Sequence, residues 1–187
     1  MIEISRYYAD DETKQEECRR KIMSATSFLL DLVNNVLDMN KLESGEVRLE
    51  KKQFHLLDLL RETISLVEMQ AVERNVALQV EICEGEHWDV MGSPVHLRQV
   101  LQNIISNAIK YNRAGGSVSV RVQEIASTEQ TATFEFVCQD TGIGMSEEFQ
   151  KCAFEPFAQE NASARTSYAG TGLGLAIAKE LTEKMGG

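Results

Sequence analysis

The sequence predicts an α+β fold in which helices cover one face of a sheet. In some stretches apolar residues recur at three- and four-residue steps, as in helices, and in shorter ones they alternate with polar residues, as in strands. The order of these stretches is helix, helix, strand, helix, two strands, loop, helix. Because the paired strands are joined by a polar turn, a mostly antiparallel sheet in a helix-on-sheet sandwich is the simplest arrangement.

Composition excludes several classes of protein. The chain has 187 residues, of which 43% are hydrophobic and 26% charged, as in globular domains with a real core. A net charge of −10 argues against a general nucleic-acid binder and a polybasic membrane anchor. No apolar run approaches the roughly 18 residues that span a bilayer. We therefore expect a cytoplasmic segment that contacts neither nucleic acid nor membrane. No CxxC pair occurs, so we expect four reduced, mostly buried thiols, Cys18, Cys83, Cys138 and Cys152.

The first element is a long helix. From Glu12 to Asn40 the chain has no proline or glycine, and Ser44-Gly45 ends the stretch. A heptad seam runs along it through Ile22, Ala25, Leu29, Leu32, Val36 and Met39, widened by Phe28, Val33 and Leu37. So broad an apolar face predicts packing in a helical hairpin or bundle. The alternative is a helix that lies on its own domain.

The middle of the chain alternates between the two periods. Residues 46–54 look extended, 56–74 form an amphipathic helix, 76–82 a strand and 85–93 a loop. Ser93-Pro94 then opens the third helix. Beyond Gly115-Gly116 come the two hairpin strands, and a short helix begins at Ser146.

The third helix carries an unusual polar flank. Its apolar stripe consists of Leu97, Val100, Leu101, Ile104, Ile105, Ala108 and Ile109. Asn103, Asn107 and Lys110 stack along one side of this stripe. Asparagine is disfavoured inside helices, so these two positions suggest a function. Amide oxygens suit Mg²⁺ and a lysine suits phosphate, although a half-exposed polar edge would explain them too.

Two glycine-rich segments follow. Asp140 ends a strand, with Gly142 and Gly144 just beyond it, and such a carboxylate can accept a hydrogen bond from an adenine amino group. The second segment, GTGLGL from Gly170, precedes a helix N-terminus, where free N–H groups favour phosphate. No strand precedes it and no acidic residue follows at the required distance, which excludes a dinucleotide-binding motif.

Taken in order, these motifs resemble the catalytic ATP-binding domain of sensor histidine kinases. That domain belongs to a superfamily shared with gyrase, heat-shock chaperone ATPases and mismatch-repair proteins. The resemblance covers about residues 49–187 and implies a Bergerat-type ATP-binding fold. The matching segments are the N box Asn103–Tyr111, the first glycine box Asp140–Met145, the F box Phe154–Phe157 and the second glycine box Gly170–Leu175.

The resemblance implies roles for individual residues. Asn107, with Asn103, would hold Mg²⁺, Lys110 would reach the phosphates of ATP, and Tyr111 would pack beside the nucleotide. Asp140 would bind the adenine amino group in a pocket shaped by Gly142 and Gly144. The triphosphate would lie on the second glycine box, Gly170, Thr171, Gly172, Leu173 and Gly174.

Residues between Phe157 and Gly170 resemble the mobile lid over ATP. Arg165 in this segment either meets a phosphate or is a solvated surface residue. Phe157 is counted among the nucleotide-binding residues, and with Phe154 it is expected to fix the lid in the core. The polar, small-residue composition of the segment suits such a lid.

Two domains are expected. Residues 1–45 look like the second helix of a dimerisation and phosphoacceptor hairpin that would form a four-helix bundle, and the helix runs into the stretch LDMNKLESGEV, as in such hairpins. Residues 46–187 form the catalytic domain, in which the family's later strands are missing. The acceptor-histidine helix is also missing, and His55, His87 and His96 do not match its motif. We therefore expect a segment of a longer chain that has no phosphoacceptor of its own.

The expected function is the ATP-binding kinase portion of a two-component sensor in a phosphorelay. It would bind Mg-ATP and transfer the γ-phosphoryl group to a histidine outside this segment, which alone would not autophosphorylate. The expected partners are a second copy, bound through the N-terminal helix, and a response regulator receiver domain. Membrane anchoring of the parent protein is left open. One alternative is a degenerate scaffold without kinase activity. The other, an ATPase or serine kinase of the superfamily, is disfavoured because that group generally has glutamate where Asn103 stands.

Overall fold

The computed structural model describes residues 11–83, 85–160 and 170–187. Its first element, helix α1, spans Glu12–Glu43. The Asp11 carboxylate caps it by accepting a hydrogen bond from the Lys14 N–H at 3.0 Å. The helix ends at Ser44, and Gly45 follows in the left-handed region with φ of +73°. The long helix and its glycine stop are thus confirmed.

Nine further elements follow within the described residues, and three of them have only four residues. They are β1 Lys52–His55, α2 Leu56–Glu73, β2 Ala77–Ile82, β3 Asp89–Gly92, α3 Pro94–Lys110, β4 Ser117–Ser127, β5 Ala132–Asp140, α4 Glu147–Gln150 and α5 Gly174–Lys184. Strand β3 lies where the sequence predicts a loop, so that prediction is wrong. It pairs with β1 in antiparallel fashion, Phe54 opposite Val90. Four residues offer too few positions for an alternating pattern to stand out.

The main sheet has the order β2-β4-β5. Strands β4 and β5 form the expected antiparallel hairpin, whereas β2 runs parallel to β4. Val118, Val120 and Val122 of β4 are at most 1% exposed and face the helices. The opposite face carries the intervening residues Ser119, Arg121 and Gln123. The helix-on-sheet sandwich is confirmed.

Two apolar cores hold the helices in place. The first lies between the sheet and helices α2 and α3, around Leu60, Val67, Ile105 and Ile109. The second joins α1, α3 and α5 through Met39, Leu42, Val100, Leu173, Ile177, Ala178 and Leu181. Burial of each large side chain contributes about 1.5–3 kcal/mol, so α1 is firmly attached at its C-terminal half.

Helix α1 therefore packs on its own domain and also keeps a free apolar face. Leu29, Leu30, Val33 and Leu37 are 50–60% exposed, while Met39 and Leu42 are buried. The interpretation as a helix on its own domain holds for the side that carries Met39 and Leu42, and packing of the free side in a hairpin or bundle stays a prediction. No helix in the described part of the chain is long and apolar enough to cross a bilayer.

Candidate functional site

A cleft of about 1000 Å³ lies between α1, the C-terminal end of α2, α3, the end of β5 and the turn before α5. Ten of the residues that the sequence singles out line it, namely Asn103, Asn107, Lys110, Tyr111, Asp140, Gly144, Gly170, Thr171, Gly172 and Gly174. They come from three separate stretches of the chain. The fold brings these stretches together at one cavity.

The two asparagines of α3 face the N-terminus of α5. A Cβ added to Gly174, the first residue of α5, would lie 3.7 Å from Asn103 Oδ1 and 3.8 Å from Asn107 Nδ2. Helix α5 thus directs its free N–H groups and the positive end of its dipole towards the side-chain amides of Asn103 and Asn107, which we call the amide row. A larger side chain at position 174 would fill the space between the start of α5 and these two asparagines.

The amide row also fits a metal ion. Asn103 Nδ2 is buried and has no hydrogen-bond partner within the described residues. A buried polar atom without a partner costs free energy, which a ligand in the cleft can recover. No group of three or more acidic, histidine or cysteine side chains suited to a metal occurs in residues 11–83, 85–160 and 170–187. The side-chain oxygens of Asn103 and Asn107 are neutral donors that this row offers to Mg²⁺.

Lys110 and Arg74 both bring positive charge to the lining of the cleft. A Cβ at Gly170 would collide with Lys110 Nζ and lie 3.2 Å from the Tyr111 hydroxyl, so a larger residue there would displace the end of the lysine side chain. The Lys110 ammonium is 4.9 Å from the centre of the Tyr111 ring. Burial, and secondarily the charge of Arg74, lower the pKa of Lys110. No carboxylate in the described part of the chain pairs with this ammonium, which suits it to an anionic ligand.

The first glycine segment is fixed to the end of α3. Asp140 Oδ1 accepts a hydrogen bond from the Gly142 N–H at 2.8 Å, and the Ile143 N–H donates to the Tyr111 carbonyl at 3.1 Å. A Cβ at Gly142 would collide with that carbonyl, so this glycine permits a close approach of two backbones and does not itself line the cleft. Asp140 is exposed and available to a ligand.

Cys138 lies on the same face of β5 as Asp140, two residues before it, and lines the cleft. Burial, with a smaller contribution from the Asp140 charge, raises the pKa of the thiol to about 11. The thiol is therefore protonated at neutral pH, in keeping with the expected reduced state. All four cysteines are free, but only Cys18 is fully buried.

Several residues singled out from sequence lie elsewhere. The rings of Phe154 and Phe157 are 52% and 61% exposed, so the expectation that they fix the lid in the core is wrong. Phe157 has φ of +65°, and its N–H donates to the Gly172 carbonyl at 2.9 Å, so its backbone makes the contact. Leu173 is fully buried in the second core. Arg165 lies outside the described residues.

Sequence reasoning missed one wall of the cleft. Helix α1 contributes Ser24, Ser27, Phe28, Asp31, Asn34 and Asn35 to the lining. The Asn35 amide donates a hydrogen bond to Thr171 Oγ1 at 3.1 Å. Nearby, Gln99 Nε2 donates to Asp38 Oδ2 at 2.8 Å. Two adjacent asparagines inside a helix are the signal that the sequence offered, the same one that pointed to α3.

The three histidines lie outside the cleft near other polar side chains, although His55 Nδ1 makes no hydrogen bond within the described residues. His55 Nδ1 lies 3.6 Å from an Asp58 carboxylate oxygen, His87 Nδ1 lies 2.7 Å from Glu124, and His96 Nδ1 lies 2.6 Å from Ser93 Oγ. None of the three lines the cleft. Ser93 also accepts a hydrogen bond from the Glu50 N–H, which places the start of α3 beside the segment that leads into β1.

Similar proteins carry the name of sensor kinases. The chain is 38% identical over 166 residues to Sensor protein GacS of Pseudomonas syringae pv. syringae, covering 89% of this chain and 18% of that protein. It is 34% identical over 173 residues to the signal transduction histidine-protein kinase BarA of Escherichia coli K12, covering 92% of this chain and 19% of BarA. The chain thus spans less than a fifth of the length of these two curated relatives.

A solved structure and a protein family complete the comparison. The crystal structure of full-length ShkA in complex with AMPPNP superposes with a TM-score of 0.75 and 26% identity, over 92% of this chain and 34% of that one. Residues 92–187 match the family described as histidine kinase-, DNA gyrase B-, and HSP90-like ATPase. That match covers just over half of the chain. With the cleft at the N-terminus of α5 and the paired glycine segments, it shows that the chain belongs to this ATPase family.

Proposed function

We propose that this chain is the ATP-binding kinase portion of a two-component sensor histidine kinase. Its site would bind Mg-ATP and transfer the γ-phosphoryl group to a histidine on a dimerisation helix. In that reaction a P–N bond to the imidazole forms while the bond from the γ-phosphorus to the β,γ-bridging oxygen breaks. ADP leaves, and the imidazole loses its proton. Catalysis by this site rests on positioning and electrostatics.

One observation carries the proposal: the amide row of α3, the Gly170–Gly174 turn and Asp140 converge on the same cleft. Each of these features suits a different part of one ligand. Amide oxygens suit a metal, a glycine turn at a helix N-terminus suits phosphates, and an exposed carboxylate suits an adenine amino group. The cleft volume is also sufficient for a nucleotide.

Mg²⁺ would be held by Asn107 and Asn103 together with phosphate oxygens, and when bound it neutralises charge on the triphosphate. Lys110 would contribute a second positive charge from the same helix. Tyr111, whose pKa burial raises, stays neutral and would pack beside the nucleotide. Gly142, Gly144, Phe157 and Leu173 would act through their backbones, and Arg165 would meet a phosphate.

The partners follow from the same proposal. In the full-length protein residues 1–45 would belong to a dimerisation hairpin, and residues 46–187 would be the catalytic domain. The free apolar face of α1 supports pairing with another helix, and a response regulator receiver domain would accept the phosphoryl group from the histidine. We place this segment in the cytoplasm on the analogy of two-component sensors, whose kinase portion meets its receiver there.

Titration calorimetry with a non-hydrolysable ATP analogue tests the nucleotide site. Wild-type protein should bind the analogue more tightly with Mg²⁺ than without it. Asn107→Ala should lose that metal dependence, a drop of roughly tenfold, because the amide oxygen is a metal ligand. Gln102→Ala, on the same helix but outside the cleft lining, is the control. Absence of nucleotide binding by folded wild-type protein would overturn the proposal.

A labelling experiment tests the kinase part. The full-length protein incubated with γ-labelled ATP should acquire an acid-labile label on its dimerisation helix, whereas this chain alone should remain unlabelled. Label on His55, His87 or His96 would contradict the assignment of the acceptor. Nucleotide binding without any phosphotransfer in the full-length protein would favour the degenerate scaffold, and hydrolysis independent of histidine would favour an ATPase.

A further inference from the structure

Thr171 has an unusual hydrogen-bonding arrangement at the mouth of the second glycine turn. Its Oγ1 accepts a hydrogen bond from the Asn35 amide at 3.1 Å and another from the Leu173 N–H at 3.3 Å. A threonine hydroxyl has two acceptor lone pairs and one O–H donor. Both acceptor positions of the hydroxyl are therefore used. Its O–H group can still donate one hydrogen bond.

This remaining O–H has no protein acceptor in the described part of the chain. Thr171 lines the cleft, between Gly170 and Gly172. Nearby polar groups that line the same cavity include the Lys110 ammonium, which donates and cannot accept. A phosphate oxygen of a ligand in the cleft is an anionic acceptor, and a hydrogen bond to it is stronger than one to a neutral group.

We infer that Asn35 is a positioning residue for the nucleotide: by occupying Thr171 as an acceptor, it commits the threonine hydroxyl to donate to a phosphate oxygen. The inference rests on the proposed function and deepens it, because a residue of α1 would then orient a hydroxyl group in the phosphate-binding turn. Without Asn35 the hydroxyl can rotate and accept from water or from neighbouring donors, so its orientation towards the phosphate is no longer fixed.

The arrangement also couples α1 to the nucleotide. Asn35 lies on the helix that carries the free apolar face, and α1 is attached to the domain through Met39 and Leu42 in the following turns. If the position of α1 changes the affinity for nucleotide, binding of nucleotide must change the attachment of α1 by the same factor. A helix that belongs to the dimerisation region thereby senses whether the phosphate site is filled.

A double-mutant cycle tests the inference. Asn35→Ala should weaken binding of the ATP analogue roughly three- to tenfold, the range of one hydrogen bond. Thr171→Val, which removes the hydroxyl and keeps the shape, should weaken binding at least as much, and Thr171→Ser should retain wild-type affinity. In the Thr171→Val background Asn35→Ala should have no further effect. Asn40→Ala, which truncates an exposed asparagine of the same helix outside the cleft lining, is the matched control and should leave binding unchanged.

The outcomes separate this inference from the proposed function. If wild-type protein binds no nucleotide, the proposed function fails. If wild-type protein binds and Asn35→Ala binds equally well, the inference alone fails. Equal losses from Asn35→Ala in the threonine and valine backgrounds would indicate a purely structural role in holding α1, and a gain in affinity would mean that Asn35 draws the hydroxyl away from the ligand. Either result would overturn the inference.

Discussion

At the scale of single residues, Lys110 shows how a site can be prepared for a ligand. Its ammonium is half-buried without a carboxylate partner among the described residues, and burial lowers its pKa. A partly desolvated cation costs free energy in the free protein. A phosphate placed beside it would remove this cost, so under the proposed function the lysine would contribute more to binding than to folding.

Lys110→Met should therefore weaken binding of ATP about tenfold or more, because it removes a charge-assisted hydrogen bond. The melting temperature of the nucleotide-free protein should not fall, since the partly desolvated charge disappears with the lysine. Lys184→Met, at the exposed far end of α5, serves as the control in calorimetry and thermal denaturation. A melting temperature lowered by Lys110→Met, with binding intact, would contradict this role.

The pH dependence of binding has a definite sign. Because the pKa of Lys110 lies below its ordinary value of 10.5, the ammonium loses its proton at lower pH than an exposed lysine does. Affinity for ATP should fall as the pH rises towards this lowered pKa. The Lys110→Met variant should lack that component when affinity is measured across the alkaline range.

Gly172 and Gly45 allow the effect of an added Cβ on the free energy of unfolding to be compared at two sites with the same backbone conformation. Both adopt left-handed backbone angles, φ +71° and +73°, but a Cβ at Gly172 would lie 2.8 Å from the Phe157 carbonyl carbon, whereas Gly45 has open space. Gly45→Ala should cost about 1–2 kcal/mol for the backbone conformation alone. Gly172→Ala should cost about 1–3 kcal/mol more, from the collision. Urea denaturation measures both, and equal costs would refute the steric explanation.

At the scale of elements, the loop between β2 and β3 is held to β4 by one carboxylate. Glu124 accepts hydrogen bonds from the backbone N–H groups of Glu86 and His87, at 2.9 and 3.1 Å, and lies 2.7 Å from His87 Nδ1. The Glu86 N–H and the His87 side chain are the main causes that lower the pKa of Glu124 to about 2. The strand pairs β1-β3 and β2-β4 are thereby joined by a polar contact.

Glu124→Gln should lower the melting temperature at pH 7, because an amide accepts these hydrogen bonds less strongly than a carboxylate. The pKa of Glu124 is lower in the folded protein, so its stabilising contribution is complete above pH 4.5 and is lost as the pH falls towards 2. The deficit of the variant should shrink over that window. Glu129→Gln, exposed in the β4–β5 turn, is the control, and a deficit independent of pH would contradict the assignment.

At the scale of the whole molecule, α1 has two separate apolar sides. One is buried against α3 and α5, and the other is free along Leu29, Leu30, Val33 and Leu37. An exposed row of this kind on a long helix is typical of a surface that pairs with another helix. The same helix therefore packs on the domain that carries the cleft and keeps an apolar surface free for assembly.

Replacing Leu30 and Leu37 together by glutamate should weaken self-association of the full-length protein without changing its affinity for ATP. The two leucines are 60% and 50% exposed, one heptad apart, and neither lines the cleft. Analytical ultracentrifugation gives the association constant, and calorimetry gives the affinity. Leu66→Glu changes a leucine of α2 that is 56% exposed and should leave association unchanged. If the double variant associates as strongly as the wild-type protein, the free apolar face of α1 is not part of the dimer interface.

The sequence by itself determined the helices, the β4–β5 hairpin and the identity of the glycine segments, because these depend on local period and on the few residues that tolerate tight turns. It also indicated Asn103 and Asn107, since an asparagine inside a helix requires an explanation. The sequence did not predict strand β3, because four residues are too few to show an alternating pattern of apolar and polar side chains. Only the tertiary structure decided that α1 forms a wall of the cleft, that Asn35 meets Thr171 and that the Phe157 ring is exposed. Those facts depend on which faces meet when segments distant in sequence pack together, and no local pattern records that choice.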